Sequence, residues 1–262
     1  MDTYKRHELG QNFLADPRLI ATVERLVRTG TSGPILELGA GDGALTRPLA
    51  RLGRPLTALE IDPRRARRLA ASLRTREGAG RTGAQARVEV VCADVLRHRF
   101  PELPHTVVGN VPFHLTTAIM RRLLAGHAWT CAVLIVQWEV ARRRAGVGGA
   151  SMLTAAWWPW YEFRLVQRIP AASFRPLPSV DAGLMTMHRR PAPLVAEQRA
   201  YQAFVKQVFQ SPGRGLAEII PRTGRVGRAD LHAWLRRNRV PMRALPKDLT
   251  AEDWVELWTL VR

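Results

Sequence analysis

The chain has 262 residues, 46% apolar and 24% charged, which suits one large domain core and a smaller one. No run reaches the roughly 18 uninterrupted apolar residues of a membrane span, and the polar start Met1–Glu8 lacks the apolar region of a signal peptide. The two lone cysteines, Cys92 and Cys131, supply neither a disulfide framework nor a metal cluster, so a cytoplasmic protein with no metal and no membrane partner is expected. The formal net charge of +18 predicts a polyanionic partner held with strong salt dependence.

Short β-branched runs predict strands at Ile35–Leu38, Leu56–Ile61, Arg87–Cys92, Thr106–Gly109 and Ala132–Gln137. Amphipathic arginine-rich segments alternate with them, beginning with a helix over Ala44–Arg51. That alternation is the pattern of a doubly wound α/β domain. Between the second and third strands, Glu77–Arg87 contains Gly78, Gly80 and Gly83 and reads as a surface insertion. Two late runs, Phe163–Ile169 and Gly183–His188, have no clear helix between them and suit an antiparallel hairpin at the sheet edge.

Arg190-Pro-Ala-Pro-Leu194 reads as a linker, dividing an α/β domain, 1–190, from a small all-helical domain, 191–262. In the latter, Tyr201, Phe204, Val205, Val208 and Phe209 follow one-faced helical spacing. So do Leu231, Trp234 and Leu235, and then Trp254, Leu257, Trp258 and Val261. These aromatic stripes read as core. Thr250, with Glu252 and Asp253 after it, supplies the N-cap and first turn of the last helix.

The first strand runs into a glycine turn, Ile35-Leu-Glu-Leu-Gly-Ala-Gly-Asp-Gly43. Gly39, Gly41 and Gly43 let the backbone turn sharply and lie close to a ligand at the strand's carboxyl end. The spacing is G-x-G-x-G, not the G-x-G-x-x-G of dinucleotide sites. Two further acids end neighbouring strands. Glu60 is placed to accept both ribose hydroxyls of a nucleoside, and Asp94 to accept an adenine amine. A site of three strand ends without a phosphate cradle fits S-adenosylmethionine, with S-adenosylhomocysteine as the product.

The fourth strand ends in Asn110-Val-Pro-Phe113. An adenine N6 amine is a weak nucleophile because its lone pair is delocalised into the ring. To attack a methyl sulfonium it needs its two N–H bonds held by acceptors. The Asn110 side-chain carbonyl and a backbone carbonyl in the Val111–Pro112 turn supply them. Pro112 stiffens the turn, and Phe113 offers a face for the base. His114 has no role in this chemistry, which rests on alignment and on stabilising charge at nitrogen.

These motifs resemble, in order, those of the ribosomal RNA adenine N6-dimethyltransferase family, over Glu8 to about Arg222. Gly10-Gln-Asn-Phe-Leu14 is similar to the family's N-terminal signature, and Ser173-Phe-Arg-Pro-Leu-Pro-Ser-Val180 to its later motif, whose phenylalanine, here Phe174, is implied to lie near the target base. The resemblance implies a Rossmann-like S-adenosylmethionine-dependent methyltransferase domain with a C-terminal helical domain. It also implies cofactor contacts from Asn12, Leu14, Gly39, Gly41, Glu60, Asp94 and Asn110. Trp157-Trp-Pro-Trp-Tyr161 resembles the Erm branch, which implies methylation of an adenosine in 23S rRNA, before full ribosome assembly, by a monomer conferring macrolide-type resistance. The housekeeping small-subunit dimethylase and a non-catalytic nucleic-acid-binding factor are the alternatives.

Residues 214–243 carry eight arginines against Glu218 and Asp230, whereas 244–262 carry two bases against four acids. Arg214, Arg222, Arg225, Arg228, Arg236, Arg237 and Arg239 are therefore the candidate contacts to the RNA backbone.

Overall fold

A computed structural model of the chain describes residues 12–77, 87–126 and 128–262. Gly10 and Gln11 of the N-terminal motif and the interior of the expected Glu77–Arg87 insertion lie outside the described residues. The chain divides into two units. One takes residues up to Ala141 together with Val166–His188, and the other takes Arg142–Leu165 and Arg189–Arg262.

In chain order the elements are β1 (Phe13–Leu14), α1 (Pro17–Arg28), β2 (Ile35–Leu38), α2 (Thr46–Ala50), β3 (Leu56–Glu60), α3 (Pro63–Glu77), β4 (Val88–Cys92) and β5 (His105–Asn110). Then come α4 (Thr116–Ala125), β6 (Trp129–Gln137), α5 (Trp138–Arg144), α6 (Met152–Trp157), β7 (Tyr161–Ile169), β8 (Phe174–Arg175) and β9 (Ala182–Arg189). The remainder is helical: α7 (Gln198–Gln210), α8 (Leu216–Ile219), α9 (Arg228–Arg237) and α10 (Ala251–Val261). Among the described residues no helix is long and apolar enough to cross a membrane.

Seven strands form one sheet in the order β4-β3-β2-β5-β6-β9-β7. The first five are parallel, and β9 runs antiparallel to β6. Ile35-Leu-Glu-Leu38 is buried at every position, as a strand covered on both faces must be. The order reverses direction between β2 and β5. Open α/β sheets leave their ligand crevice at such a switch point, outside the carboxyl ends of the strands.

The packing beneath that crevice follows from simple patterning. Asp16 caps α1, accepting from the N–H of Arg18 at 2.9 Å and of Leu19 at 3.4 Å, with Pro17 in the first turn. Leu19, Val23 and Val27 then fall on one face and enter a cluster with Ile35, Leu49, Val133 and Ile135. A second, two-stranded sheet pairs β1 with β8, setting Phe13 opposite Arg175 and Leu14 opposite Phe174. Neither dipeptide is long enough to show a period, so the sequence predicts no strand at either.

In the second unit the three apolar stripes are core: Tyr201, Phe204, Val208, Leu231, Trp234, Leu235, Trp254, Leu257 and Trp258 are all buried. Their rings meet edge-on or stacked, as in Tyr201–Trp258 at 5.8 Å and Phe209–Trp254 at 5.8 Å. Thr250 caps α10 in a reciprocal box with Asp253. The unit also includes Arg142–Leu165, whereas the linker at Arg190–Leu194 predicts one domain over 1–190. The Tyr201 hydroxyl donates to Ala155 O at 2.9 Å and Gln202 Nε2 to Ala156 O at 3.3 Å, fastening α6 to α7. A composition-based boundary marks where a linker lies. It does not register a segment that joins one core and returns to another.

Candidate active site

At the switch point lies a cavity of about 380 Å³. Its walls are Asn12, Phe13 and Leu14 around β1, the glycine turn after β2, Glu60 and Ile61 after β3, Asp94 and Val95 after β4, and Asn110–Phe113 after β5. Parallel pairing aligns these ends: Leu38 is level with Leu59 and with Gly109.

Gly41 has φ +55°, the left-handed region that glycine enters without strain. That conformation directs its N–H to Glu60 Oε2 at 2.7 Å. The second oxygen, Oε1, accepts the N–H of Asp62 at 2.9 Å. Two backbone donors thus fix a carboxylate only 2% exposed, and each oxygen keeps a further lone pair for a ligand. The Phe13 ring lies flush against Gly41, where a Cβ would sit 3.1 Å from it. Asp94 is two-thirds buried; its Oδ1 accepts the Leu96 N–H at 2.8 Å, which ties the loop after β4 into a turn.

Asn110 Nδ2 donates to the backbone carbonyl of Asn12 at 2.6 Å. With Nδ2 turned to that carbonyl, Oδ1 is the side chain's acceptor for a ligand. The Val111 N–H donates to Ile135 O at 3.0 Å, and the Pro112 carbonyl accepts from Leu115 N–H at 2.9 Å. Among the described residues the Val111 carbonyl is the one in this turn that keeps both lone pairs. Two acceptors from adjacent residues can therefore hold the two N–H bonds of one amine. Phe113 is half-buried against the main hydrophobic cluster, and His114 is exposed to solvent.

Phe174 departs from its expected place. It is fully buried in that same cluster and does not line the cavity. It shares that cluster with Leu14 and, fully buried, has no free face for a base. The β1–β8 pairing is what draws it inward.

Glu37 is a cavity residue that the sequence reading left without a role. It is 1% exposed, and among the described residues its Oε2 has no hydrogen-bond partner. Burial pushes its carboxyl up to about 8, against the opposing pull of Thr46, and the neighbouring charge of Glu60 adds to the rise. The signal was present as an acid inside an otherwise apolar strand, where a solvated carboxylate has no room.

The candidate RNA-binding arginines all belong to the second unit and are exposed at 214, 222, 225, 228, 236, 237 and 239. Among the described residues none of them is ion-paired with a carboxylate. Arg239 has φ +56°. It follows α9 in a helix-ending turn in which Val240 N–H donates to Leu235 O at 2.9 Å and Arg239 N–H to Arg236 O at 3.2 Å. Glycine is the usual occupant of that position.

The family model of the ribosomal RNA adenine dimethylases matches residues 3–261. The chain is 52% identical over 259 residues to the mycinamicin-resistance protein MyrB of Micromonospora griseorubida, covering 98% of this chain and 79% of that one. It is 50% identical over 221 residues to an rRNA adenine N-6-methyltransferase of Corynebacterium diphtheriae, covering 84% and 83%. Among solved structures, the 23S rRNA methyltransferase ErmE superposes with a TM-score of 0.84 at 31% identity, covering 95% of this chain and 99% of that one.

Proposed function

This chain belongs to the ribosomal RNA adenine dimethylase family, and on that premise we propose that it methylates N6 of a specific adenine in 23S rRNA and so confers resistance to macrolide-type antibiotics. The observation that carries the chemistry is the commitment of Asn110 Nδ2 to Asn12 O. It turns Oδ1 toward a ligand, beside the Val111 carbonyl, as an N6 amine requires. Support for the branch comes from MyrB, named for resistance to mycinamicin, and from ErmE, named for 23S rRNA.

The donor set fits S-adenosylmethionine. Glu60, held by two backbone N–H groups, keeps lone pairs for a ribose diol, and Asp94 for an adenine amine. When bound, the cofactor supplies an electrophilic methyl group. The protein's own work is positional. Asn110 and Val111 orient the amine, Phe113 gives the base a stacking surface, and the half-buried turn keeps water away from the nitrogen. N6 methylation adds bulk and removes a hydrogen-bond donor from the adenine, which weakens any drug that needs that donor or that space. Tritiated cofactor offered with protein-free 23S rRNA and, separately, with immature small subunits should label an adenine of the 23S rRNA. Label confined to the small subunit would overturn the assignment.

The net charge of +18 and the seven exposed candidate arginines, without a carboxylate partner among the described residues, support contact with the RNA backbone. Arg239 is the sharpest case, because the left-handed conformation costs an L-residue free energy that glycine avoids. Arg239→Gly is therefore expected to raise folding stability by about 0.5–1 kcal/mol. The same change should lower RNA affinity and reduce the slope of log affinity against log salt by about one. Urea melts and filter binding at four salt concentrations measure both. A stabilised variant with an unaltered slope would remove Arg239 from the RNA contact.

A further inference from the structure

Phe13, on the N-terminal wall of the cavity, is covered by a residue that does not itself line the cavity. Arg65, in the first turn of α3, lays its guanidinium over the Phe13 ring, 4.3 Å from the centroid. Its Nη1 donates to Asp42 Oδ1 at 2.9 Å, within the glycine turn. Its Nε lies 3.7 Å from Asp62 Oδ2, in the loop after β3. The side chain is only 12% exposed, although Asp42 is 63% exposed. One cation thus joins three segments around the same cavity: the N-terminal strap, the glycine turn and the loop that follows Glu60.

Among the described residues the strap has few other ties. Two residues of β1 pair with β8, the Ala15 N–H donates to Ser173 O at 2.9 Å, and the Asn12 carbonyl accepts from Asn110. A ligand that enters or leaves needs one wall to yield, and the shortest, least paired element is the one that yields most readily. The Phe13 ring already rests on Gly41 on one side. The Arg65 guanidinium covers the ring 4.3 Å from its centroid, so removing it frees the ring and, with it, the strap.

We propose that Arg65 is a positioning residue that latches Phe13 against the glycine turn and thereby sets the rate of cofactor exchange. It does not line the cavity, so it acts through Phe13 and Asp42 and not on the reacting atoms. The proposal rests on the S-adenosylmethionine reading of the site. Lysine in its place would keep the ion pair with Asp42 but lose the flat cationic face that stacks on the ring.

The test compares the parent chain with Arg65→Met, which keeps the aliphatic stem, and Arg65→Lys. Dissociation of S-adenosylhomocysteine is followed by stopped flow and calorimetry, alongside KM and kcat with 23S rRNA. Arg65→Met should raise the dissociation rate and the cofactor KM by about 10-fold, and Arg65→Lys by an intermediate factor. kcat at saturating cofactor should stay within about twofold of the parent. Unchanged dissociation and KM in Arg65→Met would overturn the latch, as would a parallel fall in kcat and Tm, which marks a general structural role. Failure of the parent chain itself to bind S-adenosylhomocysteine would overturn the cofactor reading, and the latch with it.

Discussion

Replacing Asn110 by alanine is expected to lower the methylation rate at saturating cofactor and RNA by about 10²–10³-fold, the scale seen when one preorganised hydrogen-bond group is removed from a reacting centre. The prediction follows from which atom of Asn110 is free. Nδ2 is spent on the Asn12 carbonyl at 2.6 Å, so the side chain offers one acceptor, Oδ1, and alanine deletes it. The amine then keeps only the backbone acceptor of the Val111–Pro112 turn, and its lone pair stays conjugated with the ring. RNA affinity should hold, because the exposed arginines of the second unit are untouched. Cofactor affinity should weaken modestly, since the same substitution releases Asn12 on the strap. Single-turnover rates, filter binding and calorimetry separate the three. Near-parental turnover in Asn110→Ala would sink the proposed alignment of the amine.

The second large effect belongs to Glu37. In the folded chain its carboxyl titrates near 8 because burial disfavours the charged form, whereas in an unfolded chain it titrates in the ordinary carboxylate range. Between those values the folded state holds a proton that the unfolded state has lost. Folding stability therefore falls as pH rises through that window and levels off above about 8. Glutamine has no proton to lose. Glu37→Gln should thus match the parent near pH 4.5 and exceed it by about 2–4 kcal/mol at pH 9. Urea melts at pH 5, 7 and 9 read this directly. A stability difference that does not change with pH would show that the carboxyl is not buried as described. A residue that destabilises the fold at neutral and alkaline pH, yet lies on the wall of the cavity, is one whose place there serves the site.

Glu37 also shows where sequence reading stops. It is an acid flanked by Ile35, Leu36 and Leu38, but nothing local says whether such a side chain meets solvent, a partner or a cavity. Glu60 and Asp94 were legible because each ends a strand, and parallel strand ends must converge on one edge. Asn110–Phe113 was legible for the same reason, and because the chemistry of a conjugated amine demands acceptors at that spacing. The burial of Phe174 was not legible. Its motif marks a segment close to the site, while the direction of its ring depends on pairing with Leu14, 160 positions earlier in the chain. Arg65 stands among Arg64, Arg67 and Arg68, and nothing local separates it from its neighbours. Only the approach of Phe13 from a remote segment turned one of them inward.

The sequence by itself determined what short-range pattern can determine. It set the alternation of strands and helices, the G-x-G-x-G turn, the acids that end neighbouring strands, the Asn-Val-Pro-Phe turn and the helical apolar stripes of the C-terminal region. Each of these is encoded by periodicity or by the backbone needs of glycine and proline within a few residues. Tertiary structure alone decided the β1–β8 pairing, the assignment of Arg142–Leu165 to the second unit, the commitment of Asn110 Nδ2, the burial of Glu37 and Phe174, and the clamp of Arg65 on Phe13. All of these depend on contacts between segments far apart in the chain. Their strength comes from excluding water, and a linear sequence does not show which side chains will exclude it.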